Sequence, residues 1–360
     1  MHSLATVTSG IEPIDREWRQ KARNRLNNLA VPRGSLGQLL NLAEQLVAIK
    51  QTLTPRVDRR VVVTMAGDHG VVREGVSAFP QAVTPQMVYN FVAGGAAINV
   101  LANVAGARVI VVDMGVAAPL DDLAQQQKII SCKVALGTRN MTEGPAMTRK
   151  QAVQTLERGI SIVGQLAREG LDLLATGDMG IGNTTPSSAI LAVLAGLPVR
   201  EVTGRGTGIN DAMLENKVRV IERAISLNEP DANDPLDVLA KVGGLEIGGI
   251  AGLFLGAAYF KIPILVDGFI SSAGALLAQA FAPASVDYMI AAHLSREHGH
   301  HLMLDVLGLR PLLDLDLHLG EGTGGALAMK LVEAAAEVVG KMLSFDDAGV
   351  SRSGQGFQIP

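Results

Sequence analysis

The sequence predicts an α/β protein built on a parallel sheet with helices on both faces. Apolar runs recur at residues 61–65, 109–112, 171–174, 262–266 and 312–319, and each stops at a glycine or an acidic residue. Helix-period segments separate them, as at 85–105, 149–169 and 216–226. Strands alternating with helices imply right-handed crossovers and a sheet covered on both faces. Ligands of such sheets gather beyond the carboxyl ends of the strands. This chain concentrates its glycines and acids there.

Composition narrows the class. The 360 residues are 48% hydrophobic and 18% charged, with 40 glycines, which suits a large-cored α/β enzyme with tight loops. A net charge of −4 offers no basic footprint for nucleic acid, and 3% aromatic content leaves few stacking platforms. The single cysteine, Cys132, allows no internal disulfide and fits a reducing, cytoplasmic setting. Glu12, Asp15 and Glu17 near the start, without an apolar core, give no secretory signal.

Taken in order, residues 14–55 read as helices broken at Pro32-Arg33-Gly34-Ser35-Leu36-Gly37. A further strand is expected within 285–292, a surface turn at 229–237, and an irregular tail from 349 to 360. The apolar run 247–260 is shorter than the ~20 residues a bilayer requires, so no membrane partner is expected. Gly248, Gly252 and Gly256 recur at i, i+4 and i+8 and line one helix face for close packing.

Two loops carry the chemistry. In Gly320-Glu321-Gly322-Thr323-Gly324-Gly325, a strand empties into glycines just before a helix at 326–339. The glycines allow close approach of a ligand, and a helix start attracts anions. A pure phosphate cradle would not hold a carboxylate. Glu321 therefore reads as a base or orienting acceptor, against the blander role of complementing a helix dipole. The second loop, Gly177-Asp178-Met179-Gly180-Ile181-Gly182-Asn183-Thr184-Thr185-Pro186, offers backbone N–H groups and two hydroxyls before another helix. It reads as a phosphate site. Gly204-Arg205-Gly206-Thr207-Gly208 can form its second lip, and Lys217 can supply a cation.

Other motifs fail. No P-loop pattern occurs, and Gly320, Gly322 and Gly325 match the dinucleotide fingerprint in spacing only, since no ribose-binding strand can follow. His298, His300 and His301 lack a metal-binding frame, and a polar surface is their default reading. Asp68-His69 fits loop hydrogen bonding or ligand orientation equally.

These motifs, together with Gly67-Asp68-His69-Gly70-Val71, Lys241-Val242-Gly243-Gly244 and Leu265-Val266-Asp267-Gly268-Phe269, resemble the nicotinate-nucleotide–dimethylbenzimidazole phosphoribosyltransferase family. The resemblance is collinear from about residue 14 to 345. It implies a cytoplasmic homodimer with a Rossmann-like core over 56–330 and a small helical domain built from 1–55 and 331–360. It implies transfer of phosphoribosyl from nicotinate mononucleotide to a benzimidazole nitrogen, with inversion and without metal or cofactor. The product is α-ribazole 5′-phosphate for cobalamin assembly. Glu321 matches the family's base, and Asp178 stands where the family often has glutamate. Gly180, Ile181, Gly182, Asn183, Thr184, Gly206 and Lys217 match the phosphate and ribose site. Ser77, Phe79 and Met87 fall at the base pocket. The family has serine and glutamine where Phe79 and Met87 stand, so a more apolar, base-tolerant pocket is expected. The alternatives are a non-catalytic nucleotide sensor and a dinucleotide-dependent oxidoreductase.

Overall fold

The computed structural model describes residues 2–206 and 208–351. Its central sheet holds β1 (Arg60–Gly67), β2 (Ala107–Gly115), β3 (Ile130–Ser131), β4 (Leu173–Met179), β5 (Ile264–Val266) and β6 (Met289–Ala291). Their order is β3-β2-β1-β4-β5-β6, and every pair is parallel. This is the order of the doubly wound Rossmann fold, whose chain reverses direction across the sheet between its first and fourth strands. Here that crevice opens between the carboxyl ends of β1 and β4.

β1 is buried along its whole length because it packs on both faces. Val61, Val63 and Met65 join one core cluster with the helices Arg149–Arg168, Leu245–Tyr259 and Phe269–Phe281. Val62 and Ala66 join the other, with Gln38–Lys50, Ala97–Ala105 and Thr323–Lys341. Arg16–Asn27 packs in the same second cluster through Ala22 and Leu26. The chain ends meet where Leu29 and Ser344 form an antiparallel bridge. The expected boundary at 330/331 falls inside the helix Thr323–Lys341.

Gly248, Gly252 and Gly256 do pack internally. A Cβ on Gly252 would lie 2.2 Å from the Leu156 carbonyl, and one on Gly248 would lie 2.1 Å from Thr155 Oγ1. Side chains here would force the two helices apart.

Several expectations need correction. Residues 312–319 are not a strand: only Leu313–Asp314 (β8) pairs, with His293–Leu294 (β7), in a separate two-stranded sheet. Leu312 and Leu313 pack against the second core cluster, but Leu315 is 54% and Leu319 59% exposed, and Asp316 turns the chain with φ +58°. Residues 285–292 begin as a 3-10 helix, Pro283–Tyr288, before the short β6. The apolar stretch Val83–Ala105 is long enough by composition to cross a membrane but is not one helix. Gly94, at φ +80°, ends Val83–Ala93, and Ala97–Ala105 starts anew. The turn expected at 229–237 closes early, because Asp234 caps the helix Pro235–Val242. Of the expected irregular tail, residues 352–360 lie outside the described residues.

Candidate active site

A cavity of about 240 Å³ lies over the carboxyl ends of the central strands. It gathers Asp178–Ile181, Asn183, Thr184, Gly206 and Glu321 into one wall system. A second cavity of about 490 Å³ adjoins it, sharing Gly206, Glu297 and His318.

Glu321 is held in an unusual backbone state. Its φ is +66°, between Gly320 at +87° and Gly322 at +99°. A non-glycine residue pays a strain of about 1–3 kcal/mol there unless its surroundings over-determine it. They do. Glu321 N donates to the Asp178 carbonyl (3.2 Å), and Thr64 Oγ1 donates to the Glu321 carbonyl (2.9 Å). Asp267 accepts from Gly322 N (3.1 Å) and Gly325 N (2.8 Å), locking the turn into the helix that follows. Gly177 leaves room for this, since a Cβ there would sit 2.2 Å from the Glu321 carbonyl oxygen. The carboxylate itself accepts from Ile98 N (3.2 Å), at the start of a different helix from its own. Burial raises its pKa; the Ile98 hydrogen bond opposes this and the charge of Asp267 adds to it. A carboxylate held toward neutrality is a better proton acceptor than an ordinary glutamate.

Asp178 is the second carboxylate. Its Oδ2 accepts from Asn183 Nδ2 (3.0 Å), while its buried Oδ1 has no partner among the described residues. Burial, followed by Asp267, Glu246 and Glu321, drives its pKa well above the ordinary aspartate range, against the pull of Asn183. Gly320 borders it closely, for a Cβ there would lie 3.1 Å from Asp178 Oδ2.

The opposite wall is cationic. Lys217 is fully buried and donates to Thr184 Oγ1 (2.6 Å) and the Gly204 carbonyl (3.2 Å). It makes no ion pair among the described residues. Burial lowers its pKa to about 8, with Glu297 pulling it up. A buried ammonium with Glu297 acting on it only at a distance suits an incoming anion. Gly206, at φ +52°, packs on Thr184 and Lys217. Thr207 lies outside the described residues. Ile181 N donates to Thr84 Oγ1 (3.1 Å), and Gly182 turns toward Val72, away from the cavity wall.

Phe79, Val83, Met87, Met179, Ile270 and Leu319 form the apolar end of the cavity. Phe79 is 49% exposed, at the mouth. Ser77 does not line the cavity; its Oγ accepts from Phe79 N (3.3 Å).

The histidine reading at 298–301 changes. His300 is buried, not part of a polar surface: it accepts from Ser295 N (2.8 Å) and pairs with Ser272 Oγ (3.0 Å). Among the described residues no group of three or more His, Cys, Asp or Glu is arranged to hold a metal ion. Sequence reasoning missed His293, Ser295 and Glu297 in the cavity wall, and the buried partner of His69, Glu246. One signal for Glu246 was present: it is the only charged residue between Lys241 and Lys261.

Comparison with known proteins decides the family. A phosphoribosyltransferase family model matches residues 11–350. The nicotinate-nucleotide–dimethylbenzimidazole phosphoribosyltransferase of Syntrophotalea carbinolica is 58% identical, covering 98% of this chain and 99% of its own. The chain belongs to the nicotinate-nucleotide–dimethylbenzimidazole phosphoribosyltransferase family. The enzyme of that name from Geobacter sulfurreducens is 56% identical over 98% of this chain and 99% of its own. The crystal structure of CobT from Thermus thermophilus superposes with a TM-score of 0.90 at 47% identity, covering 94% of this chain and all of that one. The protein is thus a phosphoribosyltransferase on an α/β, parallel-sheet fold.

Proposed function

We propose that the cavity over β1 and β4 transfers phosphoribosyl from nicotinate mononucleotide to 5,6-dimethylbenzimidazole or a related base, with Glu321 as general base. The observation that carries this reading is the pairing, on one cavity, of the carboxylate of Glu321 with the Thr184–Gly206 wall backed by Lys217. The 5′-phosphate sits against Gly180, Asn183, Thr184 and Gly206, where Lys217 behind Thr184 and the start of the helix Thr184–Ala195 offset its charge. The benzimidazole enters the apolar end beside Phe79 and Met87.

One benzimidazole nitrogen attacks the anomeric carbon, and the bond to the nicotinate nitrogen breaks. Its electron pair returns to the pyridine ring, which loses its positive charge and so requires little acid assistance. The second benzimidazole nitrogen loses its proton to Glu321, so no cationic product forms. Attack opposite the departing ring inverts the configuration. Asp178, raised toward the neutral form, supports the ribose through its unpartnered oxygen.

No metal or cofactor enters this scheme. We further propose a cytoplasmic homodimer with small-molecule substrates, in which the helices Arg16–Asn27, Gln38–Lys50 and Thr323–Lys341 form a helical subdomain beside the core. The test is chromatographic. Wild type given both substrates should release nicotinate and α-ribazole 5′-phosphate in equal amounts, and a folded protein that releases neither contradicts the reading.

A further inference from the structure

Two sequence motifs, Gly67-Asp68-His69-Gly70 and Gly243-Gly244, take no part in the reaction as drawn. The fold brings them together beneath the site. His69, just beyond β1, places Nε2 2.6 Å from Oε1 of Glu246, in the first turn of the helix Leu245–Tyr259. Their side chains are 1% and 0% exposed.

Three glycines close around this pair. A Cβ on Gly180 would lie 3.2 Å from His69 Nε2 and 3.4 Å from Glu246 Oε1. One on Gly67 would lie 2.9 Å from Glu246 Oε2, and one on Gly244 would lie 2.6 Å from His69 Cε1. The Gly180 turn, which faces the cavity, therefore rests directly on the imidazole and the carboxylate. His69 Nδ1 and Glu246 Oε2 have no hydrogen-bond partner among the described residues. A pair that served packing alone would be poorly built this way, since unsatisfied buried polar atoms are costly.

The pair also matters electrostatically. Asp178 feels Asp267, Glu246 and Glu321, and Glu321 feels Asp267. Two imidazoles face these four carboxylates: His69 against Glu246 and Asp68, and His293 at 3.8 Å from Asp267. Lys217 faces Glu297 instead. Burial works against a charged His69, but the charge of Glu246, its hydrogen bond and Asp68 outweigh it and raise the pKa.

We propose that the His69–Glu246 pair is a positioning device of the transferase site, seating the Gly180 turn and setting an imidazolium against Glu246 so that this carboxylate does not bear unopposed on Asp178 and, through it, on Glu321. It acts through Gly180 and Asp178 and touches no substrate. The inference rests on Glu321 being the base.

The experiment measures the pH dependence of kcat for wild type, His69→Gln, Glu246→Gln and the double variant, with each protein's thermal midpoint recorded. Substrate titrations are common to all four and cancel. His69→Gln strands a negative charge, so the acid limb should move up by about one pH unit. Glu246→Gln removes the charge that keeps buried His69 protonated, so the pair stays neutral and the limb should stay near wild type. The double variant, neutral overall like the original pair, should return it near wild type while KM for nicotinate mononucleotide stays raised through the loosened turn. If one single variant fails to fold, the double variant still reads the seating role, through a raised KM at an unmoved limb. An acid limb unmoved in folded His69→Gln would overturn the proposal, as would equal shifts in His69→Gln and the double variant or a KM unchanged in both. Failure of all three to fold would make the pair merely structural and overturn it too. Product from wild type at an unaltered limb removes only the role of this pair; equal turnover by Glu321→Gln removes the base reading beneath it.

Discussion

Glycine does opposite work in two regions of this molecule. Along the helix Leu245–Tyr259 it lets backbones touch: Gly252 sits where a Cβ would strike the Leu156 carbonyl at 2.2 Å. Around Glu321 it makes room for charge, with Gly320 and Gly322 at positive φ and Gly320 beside the Asp178 carboxylate. Beyond Glu246 in its first turn, the first region is apolar and contributes stability. The second holds a glutamate at positive φ and, among the described residues, a buried lysine bonded to a hydroxyl and a carbonyl with no ion pair, and several unpartnered polar atoms. Such costs are tolerated where a ligand completes the site. The contrast yields a rule: substitutions in the first region should change stability and leave turnover per folded molecule intact, and those in the second should do the reverse.

The largest break between the regions should come from Lys217→Met. Losing charge-assisted hydrogen bonds worth up to ~3 kcal/mol should raise KM for nicotinate mononucleotide about 10²-fold, read from initial rates. Thermal stability should hold or rise, because a buried cation is gone. The same lysine predicts a pH effect in wild type: with its pKa lowered to about 8, kcat/KM should decline above that pH as the cation is lost. Gly252→Ala should do the opposite, costing about 1–3 kcal/mol in denaturant unfolding through overpacking, with kcat unchanged.

A smaller effect distinguishes buried histidine from buried carboxylate. Burial, with His293 and His301, holds folded His300 at a pKa of about 3, below its ordinary 6.5. The unfolded chain takes up a proton near 6.5 while the folded chain does not. The stabilisation is therefore intact above pH 6.5 and is lost as pH falls toward 3. The stability gap between wild type and His300→Gln should shrink by up to ~1.4 kcal/mol per pH unit below that point. The smallest effect concerns the base. Restoring polarity with Phe79→Ser and Met87→Gln should sharpen preference for dimethylbenzimidazole over unmethylated benzimidazole by less than about tenfold, on the order of one buried apolar contact. Base competition assays read this directly, and unchanged ratios would remove both residues from specificity.

How much was legible follows from whether the signal is local. Strands β1, β2, β4 and β5 announce themselves because sheet residues packed on both faces read as continuous apolar runs. The leucines of 312–319 carry the same local signal, yet Leu315 and Leu319 meet solvent, and only the tertiary surroundings separate the two cases. β3, β7 and β8 are each two residues long, too short for any period to show. At the site, the Gly180–Thr184 loop was readable because it follows a strand, β4, while Glu321 stood out by its glycine neighbours although the strand expected before it is absent. The His69–Glu246 contact was not, since its partners stand 177 residues apart. His300 misled for a related reason: three near-adjacent histidines look alike until the fold buries one.

The central claim is that Glu321 takes the proton from the attacking base. Turnover of nicotinate mononucleotide and dimethylbenzimidazole by wild type and Glu321→Gln, measured beside their thermal midpoints, tests it most directly. The account predicts a loss in kcat of at least ~10²-fold with an equal or higher midpoint, because the amide keeps the Ile98 contact and sheds a buried charge. Equal turnover by the two folded proteins would contradict it.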